Sequence, residues 1–405
     1  MARTPDTSTR LPVAPLSQNS AGQGLLLATL ALLALGVVMV NSAMARPVGR
    51  EVAWYSRTDV RHTMYALVSV LVIFTAWRIP YRWLDGKRFP WPAALLLAAA
   101  LACAGLLHVV PSLGRAEAGY IRWFKLIHVG SFELTFQPSE LVKFALIFFL
   151  AAWLGRPGVN PRSFFKTFLP AVVLIGVAVG AVITQNFSTG AIVGMSAFIA
   201  LLLAGVPSYY LLALIPPAAA GFYKLVYLEQ YRWQRMVAWL DVYGDNPRAY
   251  QARESLLGIL TGGWTGKGLG MGTVKNGFLP EGGSDFIFSV YCEEVGFIGA
   301  VLLIGLILVW MWHARKAAMR AADRFGYLLA GSLGFMLAMQ AVLHVAINLA
   351  AAPTTGVVLP FVSYGGTSLV ISAAAVAMII SVSARGRAEG GYITEMAEAP
   401  AAGGA

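Results

Sequence analysis

The sequence is poor in charge and in cysteine. Only 12% of its 405 residues are charged and 58% are hydrophobic, whereas roughly 25% of the residues in a soluble domain are charged. The two cysteines, Cys103 and Cys292, lie in or at the edge of apolar runs and match no disulfide or metal-ligand spacing. The composition therefore indicates a chain whose natural solvent is the lipid bilayer.

Acidic residues are scarcer than basic ones. The chain has 19 Asp and Glu residues against 30 Lys and Arg, which gives a formal net charge of +11. A basic chain can bind nucleic acid, but that function needs its cations on one stripe or face. Here they are scattered through short loops between apolar runs. We therefore expect no nucleic-acid partner.

Long apolar runs make up most of the chain. Residues 1–23 and 386–405 have no apolar periodicity and are predicted to be disordered cytoplasmic tails. The pattern predicts an all-α integral membrane protein with about ten transmembrane helices, because each run can cross about 30 Å of hydrocarbon. The runs fall near residues 24–45, 62–79, 91–110, 139–155, 167–184, 189–206, 208–227, 287–312, 327–350 and 357–384.

Basic residues in the short loops predict the orientation. The second, fourth and eighth loops carry cations such as Arg78, Arg156 and Lys316, and cytoplasmic loops are enriched in Lys and Arg. The first loop places four arginines on the opposite face, so the flipped topology stays open. The preferred topology is a multi-pass protein of the cytoplasmic (inner) membrane with both termini in the cytoplasm.

One connection is much longer than the others. Residues 228–286 form a loop that is extracytoplasmic on the preferred topology, and long loops in compact proteins are usually functional. Its Gly-rich stretch, GGWTGKGLGMG from Gly262, fails the phosphate-loop pattern because Gly268 follows Lys267 where Ser or Thr is needed. We interpret this stretch as a flexible reentrant or loop segment.

A carboxylate stands where the long loop re-enters the membrane. Asp285 is followed by an apolar run that begins at Phe286, and desolvating a carboxylate there is costly. Two interpretations stay open: Asp285 or Ser284 caps an interfacial helix, or Asp285 does chemistry. Glu293 and Glu294 lie about two turns further along, and one that faced the bundle interior would need a partner.

A second polar group opens the fourth span. The segment QPSELVK places Glu140 and Lys143 three residues apart and hence on one helix face. A local ion pair is one interpretation. The other is a role in an active cavity, in which the Lys143 ammonium faces Asp285 or a bound diphosphate.

A third polar group lies toward the C-terminal end. His344 and Asn348 are one helical turn apart and precede a Pro- and Gly-rich segment that looks reentrant. Irregular backbone at membrane depth is tolerated where it lines protein or a watery cavity. Gly365 and Gly366 can equally serve tight helix packing.

These segments together resemble the SEDS family (shape, elongation, division and sporulation). The resemblance runs from about Gly24 to Arg385, and the long N-terminal tail favours the division type. Members of the family have ten helices and act as peptidoglycan glycosyltransferases that polymerise lipid II with a class B penicillin-binding protein as partner. The matching segments are GVVMVNSA in the first span, QPSELVK, YRWQR, YQARESLLGILTGGWTGKGLG, LPEGGSDFIFSVYCEEVGFIGA and TTGVVLPFVSYGGTSL.

The resemblance implies roles for individual residues. Asp285 matches the catalytic Asp of the family, and Lys143 and Glu140 match the polar pair of its QPSE motif. With these two, the candidate substrate-binding residues are Arg232, Arg235, Gln251 and Ser363. The chain departs from the family pattern at Gln185 and Asn186, where a Pro-Asp pair is usual, and at His344, where Asn is usual. We assign Asn186 and His344 no catalytic role.

The implied function is polymerisation of lipid II into glycan strands at the outer face of the cytoplasmic membrane, in cell division or cell-shape maintenance. Asp285 would take the proton from the acceptor hydroxyl. Cations at Lys143, Arg232 and Arg235, together with a divalent ion such as Mg or Mn, would stabilise the departing undecaprenyl diphosphate. A lipid II flippase and a structural division scaffold are the alternatives, although the absence of an evident inverted repeat counts against a flippase.

Overall fold

Helices define the architecture. The computed structural model describes residues 15–44, 57–85, 90–117, 120–129, 132–183, 186–276, 279, 281–386 and 392. In this part of the chain the α-helices are α1 Ser20–Ala43, α2 Thr58–Ala76, α3 Trp91–Val109, α4 Pro138–Leu154, α5 Leu169–Ile183, α6 Phe187–Leu203, α7 Ser208–Leu212, α8 Ile215–Phe222, α9 Gln230–Leu240, α10 Tyr250–Thr261, α11 Ile287–Met319, α12 Arg324–Asn348 and α13 Gly366–Ala384.

Several helical segments are long and apolar enough to cross a membrane. Shorter apolar helices lie within α3 and α6. The chain is therefore a multi-pass, mostly helical membrane protein, as its composition predicts, while the count of ten spans stays a prediction. Seven helical segments of the described chain have the length and hydropathy of a span, namely Ser20–Ala43, Thr58–Ala76, Phe164–Ile183, Ser208–Tyr227, Ile287–Met319, Arg324–Asn348 and Gly366–Ala384.

Two helix boundaries differ from the prediction. α1 begins at Ser20, so residues 20–23 are helical and do not belong to a disordered tail. The last span begins at Gly366 and not near residue 357, because residues 349–365 form an irregular segment. Pro360 cannot donate a helical hydrogen bond, and Phe361 next to it has a φ of 67°.

A small sheet precedes α4 and was not predicted. Its strands are β1 Gly114–Glu117, β2 Tyr120–Val129 and β3 Phe132–Phe136, antiparallel in the order β1-β2-β3. The strand sequences are rich in aromatic and β-branched residues, which favour a pleated surface. β3 ends directly before Gln137, so the sheet leads into the first turn of α4.

The long loop 228–286 contains ordered helices. α9 and α10 lie within it, and Ala238 is the one fully buried residue of α9. In the span before the loop, Ser208–Tyr227, 11% of an 18-residue stretch is buried in the protein, against 67% of such a stretch in α12 and in α13. Its Pro216 and Pro217 stand at the start of α8, where the missing N–H groups cost little. This span is therefore held least tightly by its neighbours.

α11 is interrupted where the Gly-rich segment contacts it. Its 33 residues would extend about 50 Å, far more than the roughly 30 Å of a bilayer core, and the helix breaks at Gly296, where φ is 78° and ψ is −171°. Gly adopts this conformation without a Cβ clash. The N–H groups of Lys267 and Gly268 donate to the carbonyls of Glu293 and Glu294 at 2.9 and 3.0 Å. The Gly-rich segment is thus a loop, as predicted, and it is hydrogen-bonded to α11 at the break.

Candidate active site

Asp285 lies in the turn directly before α11. The turn covers residues 281–286, and the N-cap residue of α11 is Phe286, which makes no side-chain capping hydrogen bond. The interpretation of Asp285 or Ser284 as the N-cap residue is therefore wrong. The N–H of Ser289 in the first turn donates instead to Asn348 Oδ1 at 3.1 Å. The Asp285 side chain is partly exposed.

A cavity of about 330 Å³ lies beside this turn. Its apolar wall comes from α6, α8, α12 and the π-helical segment Tyr223–Tyr227 that follows α8. Its polar wall comes from α9 and the irregular segment before α13. Among the described residues that line it, Arg232 and Arg235 are the only charged ones. The cavity therefore pairs cationic groups with a hydrocarbon-like surface, which suits a ligand with an anionic head and an apolar chain.

The Asp285 carboxylate borders the cavity at Gly356. Gly356 is a lining residue, and a Cβ placed on it would lie 3.4 Å from Asp285 Oδ2 and 4.0 Å from Oδ1. The carboxylate therefore lies next to a residue of the cavity wall, although Asp285 is not itself among the lining residues. A ligand in the cavity would contact both arginines and would lie near the carboxylate.

The two arginines are held by backbone carbonyls and aromatic rings. Arg232 Nη1 donates to Leu225 O at 2.9 Å, and its guanidinium lies 5.3 Å from the Phe187 ring centroid. Arg235 Nη1 donates to Thr354 O at 3.4 Å, and its guanidinium lies over its neighbour on α9, Tyr231. Among the described residues neither arginine forms a salt bridge with a carboxylate, so N–H donors remain for an anion. Both predicted residues therefore lie in the cavity.

Lys143 and Glu140 form a buried pair outside the cavity lining. Lys143 Nζ lies 2.9 Å from Glu140 Oε2, and the two side chains are 1% and 7% exposed. Lys143 Nζ also donates to Gln340 Oε1 at 3.1 Å. The local ion pair is thus confirmed. Neither residue is among those that line the cavity, and their role as substrate-binding residues stays a prediction.

Gln340 connects this pair to the cavity wall. Gln340 Nε2 donates to Val358 O at 3.2 Å, and His344 Nδ1 is 2.7 Å from Val357 O. Val357 lines the cavity. The buried pair is therefore linked through Gln340 to Val358, the neighbour of a lining residue.

The two remaining predicted residues lie away from the cavity lining. Ser363 is 2% exposed. Its Oγ donates to Ser284 O at 2.7 Å and accepts from Leu359 N at 2.8 Å, so it supports the turn of Asp285 and does not face a ligand. Gln251 is half-buried on α10 and is not among the lining residues. Substrate binding by Ser363 and Gln251 stays a prediction.

Glu293 and Glu294 are both buried and both have lysine partners. Lys267 Nζ lies 2.6 Å from Glu293 Oε1, and Lys275 Nζ lies 2.6 Å from Glu294 Oε1. Ser42 Oγ at the end of α1 also donates to Glu294 at 2.7 Å. The predicted need for a partner is confirmed for both carboxylates, and these contacts tie the Gly-rich segment and α1 to α11.

Sequence reasoning missed several residues of the site. Asn186, to which no role was assigned, lines the cavity with Thr354 and Thr355, while Gln185 lies outside the described residues. Asn348 was noted only as a polar neighbour of His344. The spacing of these residues matches no metal-binding or nucleophile motif, so no sequence pattern could have identified them as site residues.

The described residues include no group of three or more His, Cys, Asp or Glu side chains that could hold a metal ion. Asp285 is the carboxylate that borders the cavity. One carboxylate cannot supply the six oxygen ligands that Mg²⁺ prefers. A divalent ion at this place would need oxygen atoms from a bound diphosphate and from water.

Comparison with known proteins identifies relatives along nearly the whole chain. A chain from Geobacter sp. (strain M18), named "Probable peptidoglycan glycosyltransferase FtsW", is 34% identical over 87% of this chain and 94% of its own length. A protein of the same name from Halomonas elongata is 36% identical over 88% of this chain and 89% of its own length.

Solved structures share the fold. A chain from a peptidoglycan synthase complex, described as coordinating polymerization and crosslinking, has a TM-score of 0.72 and 26% identity and covers 89% of this chain and 97% of its own. The rod shape determining protein RodA of Thermus thermophilus has a TM-score of 0.62 and 26% identity over 89% of this chain and 95% of its own. The family model for cell cycle proteins of the FtsW, RodA and SpoVE type matches residues 23–388. The chain therefore belongs to the FtsW, RodA and SpoVE family.

Proposed function

We propose that this chain is a peptidoglycan glycosyltransferase, which polymerises lipid II at the outer face of the cytoplasmic membrane and releases undecaprenyl diphosphate. The proposal rests on the cavity, which is lined by Arg232, Arg235 and apolar side chains. Asp285 lies beside this cavity, next to the lining residue Gly356. A lipid-linked sugar diphosphate has the matching parts: a prenyl chain, a diphosphate and a sugar. The names of the curated relatives agree with this activity.

The site residues divide the reaction between them. The Asp285 carboxylate takes the proton from the acceptor sugar's hydroxyl as that oxygen attacks the anomeric carbon of the donor sugar. The bond from this carbon to the diphosphate breaks, and negative charge grows on the leaving group. Arg232 and Arg235 stabilise that charge with guanidinium groups, which match phosphate geometry.

The apolar wall binds the lipid chain. Phe222 and Val226, which line the cavity, belong to the span Ser208–Tyr227, in which 11% of an 18-residue stretch is buried. This loosely held wall offers a lateral route by which a prenyl chain enters from the bilayer. Asp285 would be the residue that holds a divalent cation, Mg or Mn, and such an ion would share the stabilisation of the diphosphate charge with the arginines.

A partner transpeptidase and a role in division or cell shape complete the proposal. The solved structure with the TM-score of 0.72 comes from a peptidoglycan synthase complex, which supports a class B penicillin-binding protein as the partner here. Assembly with a transpeptidase would crosslink strands as they form.

Purified chain incubated with lipid II, with and without a class B penicillin-binding protein, is expected to produce glycan chains that separate as a ladder on a gel. EDTA should lower the yield, and Mg or Mn should restore it. An unchanged yield in EDTA would remove the cation from the mechanism. Lipid II that is moved across vesicle membranes but never polymerised would favour a flippase.

The loop 228–286 should face outward, with both termini in the cytoplasm. Tyr243, in this loop, is 90% exposed, and Arg162, between α4 and α5, is also exposed. In a chain whose native cysteines are replaced by Ala, Tyr243→Cys should react with an impermeant maleimide in intact spheroplasts. Arg162→Cys should react only after lysis. The reverse pattern would establish the flipped topology.

A further inference from the structure

Three consecutive carbonyl groups before α11 each accept a hydrogen bond from the C-terminal part of the chain. The donors are separate groups on α12 and on the segment between α12 and α13. The bonds are Tyr364 N to Gly283 O at 2.9 Å, Ser363 Oγ to Ser284 O at 2.7 Å and Asn348 Nδ2 to Asp285 O at 3.0 Å. We name these three bonds the carbonyl clamp. We propose that Asn348 is a positioning residue that, through the clamp, fixes the backbone of Asp285 and thereby aims its carboxylate.

The Asn348 side chain is oriented by its partners. Its Oδ1 accepts from Ser289 N at 3.1 Å and from Ser289 Oγ at 2.9 Å. Its Nδ2 donates to Asp285 O and to His344 O, the latter at 2.8 Å. The side chain is fully buried, so all four bonds are made away from water. A carboxamide fits this place because it both donates and accepts, whereas a carboxylate of the same size only accepts.

Asn348 forms hydrogen bonds with the backbone on both sides of the start of α11. The acceptor half holds Ser289 in the first turn, and the donor half holds the carbonyl of Asp285 just before it. The base of the side chain is fixed as well, because Ser255 Oγ donates to Asn348 O at 2.7 Å. The residue therefore links a deeply buried helix, α12, to the backbone on either side of the helix start.

The turn needs this support because its backbone is strained. Glu281, at the beginning of the turn, has a φ of 60°, a conformation that costs free energy for any residue other than Gly. Phe361, on the segment that supplies the clamp, has a φ of 67°. Strained residues persist where surrounding contacts over-determine them. Loss of a clamp bond would let the turn relax and the carboxylate move.

A small movement of a general base has a large effect on rate. Displacing a reacting group by about 1 Å can lower a rate on the order of a hundredfold without a change in binding. Because the proposal rests on Asp285 as the base of the proposed reaction, its test combines a kinetic measurement with a structural one that does not depend on activity.

The test compares Asn348→Asp with Ser255→Ala. Asn348→Asp keeps the shape and the acceptor half, and its ionised carboxylate cannot donate to Asp285 O. Ser255→Ala removes the buried hydrogen bond to Asn348 O and the contact between Ser255 Oγ and Ser289 Oγ, but it leaves the bond from Asn348 Nδ2 to Asp285 O in place. We expect both to lower the melting temperature, and only Asn348→Asp to lower kcat, by about tenfold or more, with KM for lipid II within about twofold. Backbone amides of residues 283–290 should exchange hydrogen faster in Asn348→Asp than in the wild type or in Ser255→Ala.

Two outcomes overturn the proposal: unchanged exchange and kcat in Asn348→Asp, or an equal loss of kcat in Ser255→Ala. If Asn348→Asp does not fold, Ser363→Ala takes its place, since it removes the donor to the neighbouring carbonyl of Ser284. The same lowered kcat and faster exchange are then expected, and wild-type values would overturn the clamp. A wild-type chain that polymerises nothing would refute the proposed function, while the exchange comparison would still decide whether the clamp holds the turn.

Discussion

Asp285→Asn is expected to lower lipid II polymerisation by about a hundredfold or more, because an amide cannot take the proton from the acceptor hydroxyl. The substitution keeps the size of the side chain, and the clamp bond reaches the Asp285 backbone and not its carboxylate. The fold and the melting temperature should therefore change little. The measurement is the rate of glycan formation by purified protein, with the melting temperature determined on the same preparation.

Glu281→Gln is the matched control. Glu281 lies in the same turn and is exposed, and its carboxylate accepts a hydrogen bond from Ser284 Oγ at 2.8 Å. The change from carboxylate to amide is chemically identical, but Glu281 is not next to the cavity lining at Gly356. Near wild-type activity is expected. Equal activity of Asp285→Asn and wild type would reject Asp285 as the base, and an equal loss in both variants would indicate that the turn needs charge and not a base.

Asp285 could be located from the sequence because a carboxylate directly before an apolar run is unusual. In a chain that is 12% charged, an acid at the edge of an apolar run stands out, and the same reasoning found Lys143 and both glutamates of α11. Arg232 and Arg235 were found through their matched motif and lie in the cavity. The long helices followed from apolar length alone. Each of these features depends on residues that are close together in the sequence, so a sequence pattern can predict it.

Features made by distant segments could not be predicted. The cavity is assembled from α6, α8, α9, α12 and the segment before α13, and no spacing in the chain encodes that meeting. Ser363 was assigned to the substrate, although its hydroxyl bonds to a carbonyl 79 residues away in the chain. The break of α11 at Gly296 depends on the docked Gly-rich segment. In each case the contact that decides the role lies far away in the sequence.

Removing one partner of the Lys143–Glu140 pair is expected to destabilise the protein strongly. The Nζ to Oε2 distance is 2.9 Å and neither side chain is more than 7% exposed, so little water can solvate the charge that remains. Breaking a buried pair costs about 3 to 5 kcal/mol. Lys143→Met should lower the free energy of unfolding by that amount, measured in mixed micelles by titration with a denaturing detergent.

The double variant tests whether Lys143 and Glu140 stabilise the protein mainly through their contact with each other. Lys143→Met with Glu140→Gln leaves no buried charge at this place, and it should be more stable than the sum of the two single losses predicts, with a coupling of about 0.5 to 3 kcal/mol. The control is the exposed pair Arg57–Asp59, whose atoms are closer, at 2.6 Å, but whose arginine side chain is 57% exposed. Arg57→Met should leave stability almost unchanged, because water screens exposed ion pairs.

The path from this pair to the reaction runs through Gln340. Gln340 accepts from Lys143 and donates to Val358 O, next to the residues of the irregular segment that line the cavity beside Asp285. If the pair acts through this path, the double variant should regain stability but not full activity, because Gln340 has lost the cation that orients its amide. Full activity in the double variant would show that the pair stabilises the fold and has no role in the reaction. Additive losses in the single and double variants would show instead that Lys143 and Glu140 are not each other's main partners, and would reopen a direct link between Lys143 and the Asp285 carboxylate.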